Sequence, residues 1–254
     1  MKLIIAIDDT DSLESRGTGR LAQIMIEKIE QMRWGTCSRI TRHQLFVHED
    51  IPYTSHNSAM CFEAEIDKHR YDGLIAFGMR FLETESAEGS DPGFCVVDLG
   101  HVLNTDILTA FGRRAKTEVL EKSTAYSIAE KLGVHLSEHG GTGQGIVGAL
   151  AGTGLRLTGN DGRFRGWLHY GKAGETISAK DLLADGLVDR VQSTEGEIIA
   201  PDLSVLLSEE KIKTVLQNHR QTVLVKNTTA PCSIKWQTLT KQQVKEETST
   251  THGA

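Results

Sequence analysis

Cysteine is scarce in this sequence, and Cys37, Cys61, Cys95 and Cys232 form no CxxC pair. This spacing excludes a zinc ribbon and favours reduced, packed thiols. No apolar run is long enough to span a bilayer, and the opening MKLIIAIDD is too short and too quickly acidic for a signal peptide. These absences predict a cytoplasmic protein with no membrane partner.

Basic residues are also in deficit: 28 Lys and Arg stand against 34 Asp and Glu, which gives a net charge of -6. Such a balance argues against a protein that holds nucleic acid through bulk electrostatics. Trp34, Trp167 and Trp236 lie far apart, without the interleaved basic residues that accompany base stacking. RNA is therefore an unexpected partner.

The 254 residues suffice for one large domain or two modest ones. Strand-like and helix-like segments intermix without strict alternation, which predicts an α+β fold with a mixed sheet and packed helices. We expect a nucleotide- and metal-binding domain over 1–175, an α/β element over 176–226 and a weakly ordered polar tail over 227–254. Within them, the periodicity predicts one helical stretch over about 106–132 and a strand, helix and strand over 203–226.

An acidic loop, DDTDS, follows the first predicted strand. Leu3 to Ile7 form an apolar run typical of a strand buried on both faces. Asp8, Asp9 and Asp11 come next, and three carboxylates so close together repel one another. Mg2+ removes that repulsion because it prefers oxygen ligands, so we assign Asp8 and Asp11 to a metal. The alternative is an ordinary acidic turn, since Asp and Ser are common in turns and helix caps.

The turn after this loop enters an amphipathic helix, whose N-terminus favours an anion. Arg20 offers planar guanidinium donors for phosphoryl oxygens, and Asp9 and Thr10 lie where they would contact phosphates or orient an acceptor. The residues assigned to catalysis are Asp9, Thr10, Asp11 and Arg20. The residues assigned here to nucleotide binding are Ser12, Gly17, Thr18 and Gly19.

A second glycine-rich loop, HGGTGQGIVGALAG, precedes a helix of small residues. It is not a Walker A loop, because Gln144 stands where a lysine is expected. Glycines let backbone amides approach a ligand closely, so Gly140, Gly141, Gly143 and Gly145 are predicted to bind the nucleotide. The alternative for the helix residues is close packing against a sheet.

Two other chemistries remain open. Haloacid-dehalogenase-like phosphatases carry DxDx(T/V), in which the first Asp is the nucleophile; Asp9 and Asp11 fit this pattern, whereas Leu13 does not. The protein would then be a metal-dependent phosphohydrolase. The other alternative is a non-catalytic nucleotide-binding regulatory module.

Five motifs occur in a familiar order: AIDDTDS, RGTGR, IPYTSHN, SDPGFCVV and GQGIVGALAGTG. Over about residues 1–170 the chain resembles the N-terminal kinase domain of the archaeal tRNA-isoleucine agmatinylcytidine synthetase family. The resemblance implies a phosphotransfer fold that uses ATP and Mg2+, with the DDTD carboxylates at the metal and phosphates. It also adds Asn57, in IPYTSHN, to the nucleotide site.

The chain departs from that family at several positions. Arg20 and Leu21 stand where the family has a threonine pair, and Thr18 is the nearest hydroxyl that would accept phosphate. Thr54, Ser55 and His56 replace a Lys and Arg stretch. The chain is also short for the family's tRNA-reading modules. We therefore predict an Mg2+-dependent phosphotransferase or ATPase acting on a small or nucleotide-like substrate, with tRNA an unlikely partner.

Overall fold

The computed structural model describes residues 1–12, 14–51, 57–228 and 234–250. Predictions that concern Leu13, Thr54, Ser55 and His56 lie outside these residues. The chain divides into two compact units, Met1–Thr158 and Gly159–Ala254. The division falls at Thr158, ahead of the boundary predicted after residue 175.

The described part of the first unit contains six strands, five α-helices and one short 3-10 helix, Lys68–Arg70. The strands are β1 (Lys2–Asp8), β2 (Gly35–Cys37), β3 (Thr41–Gln44), β4 (Ser58–Ile66), β5 (Gly93–Asp98) and β6 (His135–Glu138). The helices are α1 (Thr18–Gln31), α2 (Tyr71–Glu85), α3 (Thr105–Arg114), α4 (Lys122–Leu132) and α5 (Gly145–Leu157).

The strands of the first unit form an antiparallel sheet in the order β6-β5-β1-β4-β3, and β2 also pairs with β4. The first strand, β1, lies inside this sheet, where Ile5 is opposite Phe62 of β4 and Val96 of β5. Asp8 ends β1 opposite Gly93. The acidic loop therefore leaves the sheet from an internal strand.

Both faces of β1 are buried, as its continuous apolar run predicts. Leu3, Ile5 and Ile7 pack in one hydrophobic cluster with α1 and α2. Ile4 and Ala6 belong to the opposite cluster, which contains α3, α4 and α5. Side chains alternate between the faces of a strand, so a strand covered by helices on both sides is apolar at successive positions.

The helical stretch predicted over 106–132 is two helices, α3 and α4, separated by residues 115–121. A tertiary contact marks the end of α3: the Phe46 amide donates to the carbonyl of Ala115 at 2.9 Å. The intervening segment contains no proline or glycine, which explains why helical periodicity alone misses the break.

The described part of the second unit is mainly β structure. Its elements are β7 (Arg163–Phe164), β8 (Leu168–His169), β9 (Thr176–Ser178), α6 (Ala179–Leu183), β10 (Arg190–Ser193), β11 (Ser204–Leu206), β12 (Lys211–Ile212), β13 (Thr214–Gln217), β14 (Arg220–Asn227), β15 (Trp236–Thr238) and α7 (Lys241–Thr250). The pairs β10–β14 and β11–β15 are parallel, whereas β13–β14 and β14–β15 are antiparallel. The sheet is thus mixed, and the α+β prediction is confirmed.

Two predictions for the second unit need correction. The helix expected within 203–226 is instead the hairpin β13–β14, whose turn places Asn218 and His219 at φ 49 and 57. Two consecutive positive φ values suit the twist of a tight hairpin. The second correction concerns the predicted weakly ordered tail over 227–254, whose described residues include β15 and α7. These elements pack on the unit through buried side chains, Trp236 of β15 and Val244 of α7. No helix in the described part of the chain is long and apolar enough to cross a membrane.

Candidate functional site

A cavity of about 620 Å³ lies within the first unit, at the end of β1. It brings together the acidic loop, the start of α1, the start of α5 and the segment between α3 and α4. The predicted site residues that line it are Asp8, Asp9, Asp11, Gly17, Thr18, Gly19, Asn57 and Gly145. Residues separated by more than one hundred positions in sequence thus share one cavity.

The carboxylates of the acidic loop are crowded in this cavity. Burial raises the pKa of Asp8 to about 8, and the charges of Asp9 and Asp11 add to the rise. The pKa of Asp9 is raised to about 6, mainly by burial and then by the negative charges of Asp91 and Asp11. These shifts show that the folded protein holds negative charge here at a cost. A cation bound among the carboxylates would remove that cost.

Two helix N-termini also face the cavity. Gly17 precedes α1 at φ 80, and Gln144 precedes α5; neither residue caps its helix through a side chain. Neither helix has an Asp or Glu in its first turn. The Asp11 carboxylate accepts the Thr18 amide at the start of α1 at 3.4 Å, and the Asp91 carbonyl accepts the Gly145 amide at the start of α5 at 3.1 Å. Both helix dipoles still direct their positive ends at the cavity, which favours an anion such as phosphate.

Apolar side chains also line the cavity: Leu45, Ile51, Met60, Ala115, Val119, Leu120 and Val147. The charged residues Arg42, Lys122, Asp50, Glu118 and Glu121 line it as well, and Arg42 donates from Nε to the Ser58 hydroxyl at 2.9 Å. A cavity lined by apolar side chains together with converging polar groups is typical of a small-molecule site.

The glycine loop makes different contacts from those predicted. Gly140, Gly141 and Gly143 do not line the cavity, unlike Gly145. The Gly143 amide donates to the Asp91 carboxylate at 3.0 Å, and the Thr142 amide donates to the same oxygen. Gly141 and Gly143 have φ 54 and 73, and a Cβ at either would overlap a neighbouring carboxylate side chain. Gly141 and Gly143 therefore leave room for the carboxylates of Asp91 and Glu138.

Three other predicted residues lie outside the cavity lining. The Thr10 side chain is buried, and its hydroxyl has no hydrogen-bond partner within the described ranges. Ser12 is exposed, and its amide donates to the Ser15 hydroxyl at 2.9 Å. Arg20 is half exposed and pairs with Glu27 at 3.5 Å. Arg20 therefore faces solvent along α1 instead of the acidic loop.

Sequence reasoning missed Arg42, Asp91 and Lys122. Lys122 begins α4 and donates to Glu138 at 2.5 Å and to the Thr142 carbonyl at 2.6 Å. Asp91 precedes β5 in the SDPG turn, where its sequence context indicates only a turn. Arg42 and Lys122 occur in none of the motifs identified from the sequence, and Asp91 belongs to SDPGFCVV, which indicates a turn before a strand.

The carboxylates at the end of β1 are suited to Mg2+. No group of three or more His, Cys, Asp or Glu side chains in the described residues is arranged as a complete metal site. Mg2+ does not need one, since it is commonly held by one or two carboxylates together with substrate phosphates and water. Asp8 and Asp11 supply such carboxylates, and the bare backbone of Gly148 leaves room for the Asp8 carboxylate, which a Cβ would overlap. The residues present fit this mode of binding.

Comparison with known proteins agrees with the motifs. The chain is 27% identical over 158 residues to TiaS from Methanosarcina acetivorans, a 2-agmatinylcytidine synthetase for an isoleucine tRNA. The crystal structure of a TiaS complex with that tRNA and ATP matches with 27% identity and a TM-score of 0.53, covering 61% of this chain and 36% of that one. The chain contains a TiaS-like domain. The resemblance inferred from the sequence motifs is thus confirmed.

Other TiaS structures support the fold. Apo TiaS aligns at 21% identity with a TM-score of 0.53, over 78% of this chain and 48% of that chain. No protein-family model matches the sequence. The chain spans about a third of the length of the curated TiaS, 36%, so the similarity concerns part of that enzyme.

Proposed function

We propose that the first unit binds ATP with Mg2+ in its cavity and acts as an ATP-dependent phosphotransferase or ATPase on a small substrate. One observation carries this proposal: the carboxylates of the acidic loop and the N-termini of α1 and α5 face the same cavity. The carboxylates would repel a free anion, whereas the helix N-termini would repel a free cation. A metal-bound nucleotide satisfies both, because its phosphates carry the metal with them.

In this proposal Asp8 and Asp11 hold Mg2+, which supplies charge neutralisation at the phosphates. The N-termini of α1 and α5, near Gly17, Gly19 and Gly145, attract the phosphates through their helix dipoles. Asp9 would orient the acceptor. The apolar residues of the lining take the base, since nucleobases bury apolar faces. TiaS, the relative with which this domain shares 27% identity, has been solved with ATP, which supports the same use of the cavity.

The first experiment measures ATP binding by calorimetric titration with and without Mg2+. We expect saturable binding that requires the cation, with the thermal midpoint rising in parallel because only the folded state binds. Equal affinity without the cation would contradict a metal held by the acidic loop. Binding of neither ATP nor another nucleotide would overturn the proposed function.

Turnover then separates the alternatives. Release of ADP with transfer to a small acceptor or to water supports the phosphotransferase or ATPase. An acid-stable phosphate on Thr18, found by mass spectrometry, would indicate a relay through the protein, and an aspartyl-phosphate on Asp9 would indicate the phosphohydrolase. Tight binding without turnover would identify a regulatory module.

For tRNA we expect no specific binding near physiological salt. Affinity for a large polyanion depends on Lys and Arg contacts and falls steeply with salt, and the chain has 28 basic against 34 acidic residues. The measurement is a gel shift at about 0.15 M salt, in which the isoleucine tRNA of the TiaS complex is compared with total tRNA. Submicromolar binding that prefers this isoleucine tRNA would contradict the prediction and make tRNA the leading substrate.

A further inference from the structure

The peptide groups around Thr142 are held from two sides by charged side chains. On one side, the Asp91 carboxylate accepts hydrogen bonds from the amides of Thr142 and Gly143 through a single oxygen. On the other side, the Lys122 ammonium donates to the Thr142 carbonyl at 2.6 Å. The glycine loop is thus fixed by one anion and one cation.

Both anchors are themselves fixed by neighbouring elements. The main-chain carbonyl of Asp91 accepts from the amide of Gly145, the first residue of α5, at 3.1 Å. Lys122 also bonds Glu138 at 2.5 Å, and the other Glu138 oxygen accepts from the Tyr126 hydroxyl at 3.0 Å. Asp91 therefore fixes the loop with its side chain and the start of α5 with its backbone.

The position of this loop controls the lining of the cavity. Thr142, Gln144 and Gly145 all line it, and all three lie within or directly after the fixed peptides. Loss of either side-chain anchor would free the peptides of Thr142 and Gly143, which lead directly into the N-terminus of α5. Charged partners are suited to this task, since a hydrogen bond to an ionised group is stronger than one between neutral groups.

We propose that Asp91 and Lys122 are positioning residues that fix the glycine loop, so that the N-terminus of α5 is directed at the phosphates of a bound nucleotide. This inference rests on the proposed function for its ligand, whereas the fixing of the loop itself is independent of any ligand. The two parts are therefore tested separately.

The first test measures amide hydrogen exchange of Thr142 and Gly143 in the full chain without ligand. Asp91→Ala is expected to speed exchange of both amides by about tenfold or more, because a hydrogen bond to a charged group is lost. Asp91→Asn keeps an acceptor oxygen at the same place and is expected to restore most of the protection. Unchanged exchange in Asp91→Ala would overturn the proposal.

The second test compares Mg2+–ATP affinity in the same variants. Asp91→Ala is expected to bind about tenfold more weakly, with Asp91→Asn closer to wild type. Asp67→Ala and Asp67→Asn are the matched controls, since Asp67 is exposed and follows β4; both are expected to leave affinity unchanged. Equal Mg2+–ATP affinity in wild type and Asp91→Ala would overturn the proposal that Asp91 helps to direct the α5 N-terminus at the phosphates.

Lys122→Met tests the opposite side of the loop if Asp91→Ala does not fold. It is expected to speed exchange of the Thr142 and Gly143 amides, and Lys122→Arg is expected to restore protection. Exchange equal to wild type in Lys122→Met would remove Lys122 from the proposal. Should wild-type protein bind no nucleotide, the proposed function fails, and the exchange experiments still decide whether these residues fix the loop.

Discussion

Replacing Gly148 with alanine is expected to lower the affinity for Mg2+–ATP by roughly 10- to 100-fold, the range seen when the support of a metal ligand is lost. A Cβ at this position would overlap the Asp8 carboxylate, so the carboxylate must rotate away. Alanine favours a helix over glycine by about 1 kcal/mol, and α5 itself therefore gains. Weaker binding would then reflect the displaced carboxylate and not a damaged helix.

Gly73→Ala is the matched control for this substitution. Gly73 lies in α2, and a Cβ there would meet the Trp34 ring at 3.8 Å, an ordinary contact distance. We expect unchanged affinity and an equal or higher thermal midpoint. Calorimetric titration and thermal unfolding of both variants provide the comparison, and wild-type affinity in Gly148→Ala would remove Asp8 from the metal site.

Asp8→Asn is expected to stabilise the protein without ligand while lowering Mg2+–ATP affinity by at least about 100-fold, more than loss of a supporting partner costs. Burial raises the pKa of Asp8 from its usual 3.8 to about 8. A carboxyl group with a raised folded-state pKa contributes stability at low pH and loses it as pH rises towards that value. Asparagine stays neutral, so its stability advantage should grow between about pH 4 and about pH 8 and then level off.

Asp11→Asn is the companion variant, with the opposite expected effect on stability. The Asp11 carboxylate accepts the Thr18 amide at 3.4 Å, at the N-terminus of α1. Loss of that charge costs about 0.3–1 kcal/mol through the helix dipole, and Mg2+–ATP affinity should again fall. Thermal unfolding across pH, paired with titration, separates the two variants. If the Asp8→Asn protein were less stable than wild type near pH 8, ionisation of the buried Asp8 carboxyl would not be destabilising, and the prediction would be wrong.

Periodicity was a good guide to the elements that surround the acidic loop. The apolar run from Leu3 to Ile7 predicted a strand covered on both sides, and an amphipathic helix was predicted after the acidic loop, where α1 buries Leu21, Met25 and Ile29. Both predictions are confirmed. They succeed because the side chains on one face recur every two residues in a strand and every 3.6 residues in a helix, so the apolar spacing identifies the element. The same reasoning failed over 203–226, where β13 and β14 pair as a hairpin and cross-strand pairing outweighs helical spacing.

The local pattern of residues was enough to predict that three carboxylates follow a buried strand, and that a glycine-rich turn begins a helix both after them and near residue 145. Which of these groups contact one another follows from the folding of the whole unit. It directs the amides of Thr142 and Gly143 to Asp91, turns Arg20 towards Glu27, and brings Lys122 to the cavity. The physical reason is that burial and turn formation act over a few neighbouring residues, whereas the pairing of distant charges depends on strand order and helix packing.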